Sequence, residues 1–178
     1  AALAAPGYEP LVLNIGSATD AYQPAERRLR ITREVIEVLA EFRHAFSIIT
    51  KSSGVERDID LLAPLARANL AAVYVSVPTL DSALARIMEP RAASPERRMK
   101  TIEALAKAGI PVGVSVSPMI PFINEPELEH VLERAREALR QRVVDLPGDA
   151  AALRRHGGEL GLHLTQVQPV EADHHGRR

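Results

Sequence analysis

Cysteine is absent from all 178 residues, and tryptophan with it. Without thiols the chain brings no disulfide, no thiolate metal site and no cysteine-bound iron–sulfur cluster of its own. Aromatic residues make up only 3% of the sequence, so a core must be built from Leu, Ile, Val and Ala. That diet suits helices covering a buried parallel sheet. Neither sign of charge dominates: 22 Lys and Arg stand against 23 Asp and Glu, for a formal net charge of −1. No global basic field therefore announces nucleic acid or a membrane surface. No apolar run approaches the roughly 18 residues of a membrane span, and no signal peptide precedes the first apolar run. A cytoplasmic protein is the expectation. The phosphate-loop fingerprints GxGxxG and GxxxxGK[ST] are missing as well.

What is present is a core-forming chain, 46% hydrophobic, long enough for one domain. Its most informative stretch is Gly16-Ser-Ala-Thr-Asp-Ala-Tyr-Gln-Pro24, a polar loop that follows the apolar run Leu11 to Ile15. The alternation then repeats. Apolar strands are expected at 11–16, 45–50, 70–77 and 111–116, each followed by amphipathic helix. Thr32 is read as the cap of a helix whose buried face is Val35, Val38, Leu39 and Phe42. A second helix runs from about Asp58 or Asp60 to Ala68, with Pro64 tolerable only near its start. Asp81 caps a short helix. Ser94, Pro95 and Gly109 mark the two ends of a longer one. Asn124 and Glu127 have capping-box spacing ahead of Leu128, Val131, Leu132, Ala135 and Leu139.

Strand–helix repetition of this kind argues an α/β fold with a parallel sheet and right-handed crossovers. Both doubly wound and barrel architectures fit; the missing nucleotide fingerprints tilt the choice, and a partial (βα) barrel of about four units is the expected fold class. Such a piece leaves sheet edges open at both ends, so aggregation or association with another chain is expected.

In parallel α/β folds ligands bind beyond the carboxyl ends of the strands. Those ends offer Ser17, Thr19 and Asp20; Lys51 and Ser52; Ser76 and Thr79; Ser115 and Ser117. A lysine, several hydroxyls and a carboxylate suit a zwitterion, with Lys51 pairing a carboxylate and Asp20 and the hydroxyls taking an ammonium or a ribose. For each there is a plainer reading. Lys51 serves equally as a solvated surface lysine, and a backbone carbonyl would satisfy Ser76. No acid–base pair or Ser/His/Asp set can be read, and His44 and His130 read as structural.

The segments Thr19-Asp20-Ala21-Tyr22-Gln23-Pro24, Ile49 to Ser52, Arg57 to Leu62, Val75-Ser76-Val77, Met88-Glu89-Pro90-Arg91 with Pro95 and Arg98, and Ala108 to Pro111 leading to Ser117-Pro118-Met119-Ile120-Pro121 occur in order. Together they resemble the radical S-adenosylmethionine proteins related to spore photoproduct lyase, over roughly residues 6–139. The resemblance implies a partial barrel, a 4Fe-4S cluster that chelates S-adenosylmethionine, and its reductive cleavage to a 5′-deoxyadenosyl radical. It also implies roles. Thr19 would lie near the methionyl amine, Lys51 would pair the carboxylate, Ser76 would face the ribose, and Ser117 to Ile120 would lie near the adenine. With Asp20 and Ser52 these form the expected cofactor-binding set; no metal ligand is expected. DNA as substrate is implied by family analogy only.

The sequence departs from that family in three ways. The CxxxCxxC cluster loop is absent and would precede residue 1, so the chain, which opens on Ala, reads as a fragment of a longer enzyme and as inactive alone. Ala18 and Ala21 replace polar and proline positions common in relatives. After Leu139 the resemblance stops. Residues 140–178 read as an atypical, partly disordered tail, with a short helix at Asp149 to His156, a strand-like Leu160, Leu162 and Leu164, and a polar end containing His174 and His175. An out-of-frame origin for that tail is a hypothesis that the encoding DNA decides. Two other readings stay open: a non-catalytic module that binds a nucleoside or amino acid, and a barrel lyase using Lys51 as a Schiff-base amine.

Overall fold

The computed structural model describes residues 10–140, together with residues 3, 5, 7 and 8. The expectations for the tail beyond Arg140 lie outside the described residues.

Four strands form one sheet: β1 (Leu13–Ile15), β2 (Phe46–Thr50), β3 (Ala71–Ser76) and β4 (Val112–Ser115). All pairings are parallel and the order is β1-β2-β3-β4. A doubly wound sheet reverses its order at a switch point; these four strands do not. The topology is that of consecutive barrel units. The register places Ile48 beside Val73 and Thr50 beside Val75, and Ser76 beside Ser115. The strand ends that carry the candidate residues are therefore level.

The connecting helices are α1 (Glu26–Leu29), α2 (Ile31–Glu41), α3 (Ile59–Arg67), α4 (Ser82–Met88), α5 (Pro95–Lys107) and α6 (Leu128–Arg140). The two best-signalled starts form as expected. Asp81 accepts from the Ala83 and Leu84 amides, Ser94 accepts from the Arg97 amide, and Pro95 opens α5. Gly109, just past the Ala108 cap, adopts φ 81°, the left-handed turn that ends many helices.

One face of the sheet is buried. Phe46, Ile48, Ala71, Val73 and Val75 pack with Ile36 and Leu39 of α2, Leu62 and Leu65 of α3, and Ile102 and Leu105 of α5. Each such side chain, fully buried, contributes about 1.5–3 kcal/mol. The opposite face, with Ser47, Ile49, Ala72 and Tyr74, is only half-buried. Among the described residues the helices collect on one side, as barrel units require.

Three expectations are corrected. The buried face of α2 is Thr32, Ile36 and Leu39, while Val35, Val38 and Phe42 are exposed. Arg30 occupies the cap position, because Thr32 is drawn into the polar contacts described below. Pro64 sits well inside α3. The carbonyl it leaves without a helical donor belongs to Asp60, an exposed residue. Finally, Asn124 makes no side-chain cap, because tertiary partners take both it and Glu127.

Both sheet edges are open among the described residues, since β1 and β4 each pair on one side only. The β1 edge is also apolar: Leu11, Val12 and Leu13 are exposed, as are Ile31, Val35 and Val38 on α2. No helix among the described residues is long and apolar enough to cross a membrane.

Candidate functional site

The loop after β1 is fixed at its first residue. Gly16 has φ 93°, and a Cβ there would lie 2.2 Å from the Ile49 carbonyl oxygen. Only glycine allows the chain to turn this close against β2. Asp20 then ties the loop to the end of β2, accepting from the Tyr22 amide at 2.8 Å, the Thr50 hydroxyl at 2.8 Å and the Lys51 amide at 2.7 Å. The Thr50 hydroxyl accepts from the Ser52 amide, and the Ser52 hydroxyl from the Gly54 amide. Asp20 and Ser52 thus spend their side chains on backbone amides and, for Asp20, on the Thr50 hydroxyl.

Below this loop lies a saturated polar bracket. The Asp58 side chain is fully buried. It accepts from the Tyr22 hydroxyl at 3.0 Å, from Arg33 at 3.0 Å, and from Nε and Nη2 of Arg57 at 2.9 Å each. Arg57 also donates to the Glu26 carbonyl and carboxylate, and the same carboxylate takes the Thr32 amide. The Thr32 hydroxyl donates to the Ala21 carbonyl at 2.6 Å. Burial alone would push the Asp58 carboxyl up. The hydrogen bonds from Arg57, Arg33 and Tyr22 outweigh it and hold the group below the usual carboxylate range. Burial first, and the Asp58 charge second, push the Tyr22 phenol up.

A second charged group crosses the strand ends. Lys51 Nζ lies 2.6 Å from Glu89 Oε1, and Glu89 Oε2 accepts from Arg98 at 2.5 Å. The Glu89 side chain is 8% exposed and that of Arg98 2%, whereas Lys51 is 37% exposed. Arg98 is braced further, donating to the Ser76 and Ala93 carbonyls at 2.7 Å each. Despite its charge contact, Glu89 Oε1 has no aligned hydrogen-bond donor.

The third element is the loop after β4. The Ser76 hydroxyl donates to the Ser117 carbonyl at 3.1 Å, so the plainer reading of that serine holds: a backbone carbonyl satisfies it. Asn124, buried, donates to the Pro78 and Pro118 carbonyls at 2.8 Å and accepts from the Ile120 amide at 2.6 Å. Glu127, the other half of the expected capping box, accepts from the Thr79 hydroxyl and the Leu80 amide instead.

A cleft of about 900 Å³ opens between the loops after β1 and β2 and the segment before α5, and its lining includes Asp20, Tyr22, Lys51, Ser52, Arg57 and Arg91. Of the seven expected residues it brings together Asp20, Lys51 and Ser52. Thr19, Ser76, Ser117 and Ile120 do not line it. Thr19 is exposed on its loop, and Ser117 and Ile120 are half-buried after β4. His44 is structural as expected, buried with one ring nitrogen on the Tyr8 hydroxyl and the other on the Ala45 carbonyl.

Glu89, Arg98 and Asp58 had no assigned role in the sequence reading. For Arg98 a signal existed. It falls on the same helical stripe as Pro95, Met99 and Ile102, which are buried. An arginine on a buried stripe must find partners.

No iron–sulfur cluster fits this chain, which has no cysteine. Among the described residues no His, Asp and Glu cluster could hold a metal either. An amino-acid carboxylate does fit. Lys51, Arg98 and Glu89 carry one net positive charge between them, which reaches solvent at Lys51, and the Asp20 carboxylate that accepts the Lys51 amide lines the same cleft.

The family model that matches the chain is that of the Radical SAM superfamily, over residues 4–135. An uncharacterised protein of Mycobacterium tuberculosis is 32% identical over 120 residues, which is 67% of this chain and 35% of that one. Another from Methanocaldococcus jannaschii is 30% identical over 113 residues, 64% of this chain and 42% of the other. The chain thus spans well under half the length of these relatives. Among solved structures, a spore photoproduct lyase complexed with dinucleoside spore photoproduct matches with a TM-score of 0.48 and 17% identity, over 82% of this chain and 49% of the other.

Proposed function

Because the chain belongs to the radical S-adenosylmethionine superfamily, we propose that its strand ends bind S-adenosylmethionine, as part of an enzyme that generates a substrate radical. Lys51 pairs the methionyl carboxylate and Thr19 meets the ammonium. Ser76 lies toward the ribose, and Ser117 and Ile120 toward the adenine. Asp20 and Ser52 serve by holding the two loops in shape. The observation that carries this reading is the unbalanced positive charge at Lys51, level with the ends of neighbouring parallel strands. When bound beside a reduced cluster, S-adenosylmethionine supplies a carbon radical. No cysteine of this chain can hold that cluster, so the reaction, substrate and lyase character of a longer protein rest on family membership alone.

Calorimetry with S-adenosylmethionine tests the site. Lys51→Ala should weaken binding about tenfold, the equivalent of about 1.4 kcal/mol. Equal affinity in both proteins overturns the carboxylate assignment. Reconstitution with iron, sulfide and reductant should give no thiolate–iron absorbance near roughly 400 nm. A stoichiometric cluster spectrum would sink the claim that the ligands lie elsewhere.

The absence of cysteine favours one second reading, a module that binds a nucleoside or amino acid without catalysis. The Schiff-base reading has less support. Reactive lysines are activated by an apolar pocket or a neighbouring cation, whereas Lys51 is part-exposed against a carboxylate.

A further inference from the structure

We propose that Glu89 is a positioning residue that makes the site selective for ligands with a free carboxylate, by holding the Lys51 ammonium in place through one short charge contact. The inference deepens the S-adenosylmethionine reading and, for its ligand arm, rests on it.

Lys51 is held at both ends. Its amide donates to Asp20 at 2.7 Å, which fixes the backbone at the end of β2. Its ammonium lies 2.6 Å from Glu89 Oε1. A lysine side chain loses up to about 2 kcal/mol of rotamer entropy when fixed, so a lysine already fixed loses less when a ligand arrives. Glu89 can do this because it is itself immobile. It sits at the end of α4, its amide donating to the Ala85 carbonyl at 2.8 Å, and its other oxygen is taken by Arg98. Arg98 is in turn braced on the Ser76 carbonyl at the end of β3. The chain of contacts runs from one strand end to the next and stops at an ammonium that reaches solvent.

The contact also has the right quality. Oε1 is buried and has no aligned hydrogen-bond donor, so Glu89 holds Lys51 by charge at short range. Glu89 Oε1 is one acceptor for an ammonium with three N–H donors, which leaves two for a second acceptor. Two cations and one carboxylate need one more anion, and a single ligand carboxylate meets that need. A neutral or purely cationic ligand leaves the positive charge unmatched.

The test uses the full chain, which contains only three lysines, Lys51, Lys100 and Lys107. With 13C-labelled lysine, NMR relaxation of the ε-methylene groups reports side-chain order on the fast timescale. In the wild type, Lys51 should be clearly more ordered than Lys100, which is exposed and 4.0 Å from its nearest carboxylate. In Glu89→Gln it should fall to the Lys100 level. Calorimetry then compares S-adenosylmethionine with its decarboxylated form. The wild type should prefer the carboxylate-bearing ligand about tenfold, and Glu89→Gln should lose most of that preference, as Lys51→Ala does. A Lys51 as mobile as Lys100 in the wild type overturns the proposal without any variant or ligand. An unchanged preference in a folded Glu89→Gln protein overturns it as well. If neither compound binds while Lys51 is ordered through Glu89, the S-adenosylmethionine reading fails and the hold of Glu89 on Lys51 stands.

Discussion

Two groups of buried charge lie a few residues apart and behave differently. In the bracket around Asp58, both oxygens of Asp58 have two donors, and the carboxylates of Glu26 and Asp58 face the guanidinium groups of Arg33 and Arg57. Arg33 carries the group outward to the exposed carboxylates of Asp60 and Glu37, which leaves no cation of the group unmatched. Across the strand ends, Glu89 divides its oxygens between Arg98 and Lys51, and one oxygen lacks an aligned donor. This second group keeps a positive charge toward solvent. Saturation separates scaffold from candidate site here better than residue type does, since both groups use the same chemistry.

The comparison breaks most sharply at Asp58. Asp58→Ala should cost about 3 kcal/mol in urea unfolding, the lower end for a buried ion pair because both guanidinium groups reach solvent. Lys51→Ala should leave stability within about 1 kcal/mol. Equal losses would erase the distinction between scaffold and site. A smaller effect is expected at Gly16. Alanine there meets the Ile49 carbonyl and an unfavourable φ, so Gly16→Ala should destabilise by more than about 1 kcal/mol.

The smallest effect concerns pH. The folded Asp58 carboxyl lies below its ordinary value, so the unfolded chain binds this proton more readily. The stability it contributes is complete above about pH 4, and it is lost as pH falls through the folded value. Asp58→Asn should flatten that acid limb relative to the wild type. An identical limb in both proteins would assign acid sensitivity to other groups.

Much of the scaffold was legible in the sequence. The four apolar runs became four parallel strands, and Asp81, Ser94, Pro95 and Gly109 mark helix ends because capping is local chemistry. What failed depended on tertiary choice. The α2 segment has apolar residues on two stripes, and periodicity cannot say which one meets the sheet; Thr32, drawn to Ala21 and Glu26, decided it. Asn124 and Glu127 had the spacing of a capping box, but Pro78 and Thr79, more than 40 residues away, and the nearby Pro118 offered better partners. For the site, the sequence offered Lys51 as one hydroxyl-flanked lysine among several candidates. Glu89 was visible only as a member of a family motif, and Arg98 also as an arginine on the buried stripe of α5. Their role comes from the meeting of α4, α5 and two strand ends, which no local pattern encodes.

The Asn124 clamp has a consequence of its own. Beyond Ser76 and Ser115 the ladder between β3 and β4 gives way to loops, yet one amide group bridges them, giving two protons to carbonyls and taking one from an amide. Aspartate has nearly the same shape but would set a negative oxygen against two carbonyl oxygens. The alignment of these loops thus depends on the identity of a single atom, a nitrogen where an oxygen would fit equally well. Hydrolytic ageing of that amide would unfasten the loop without changing its size.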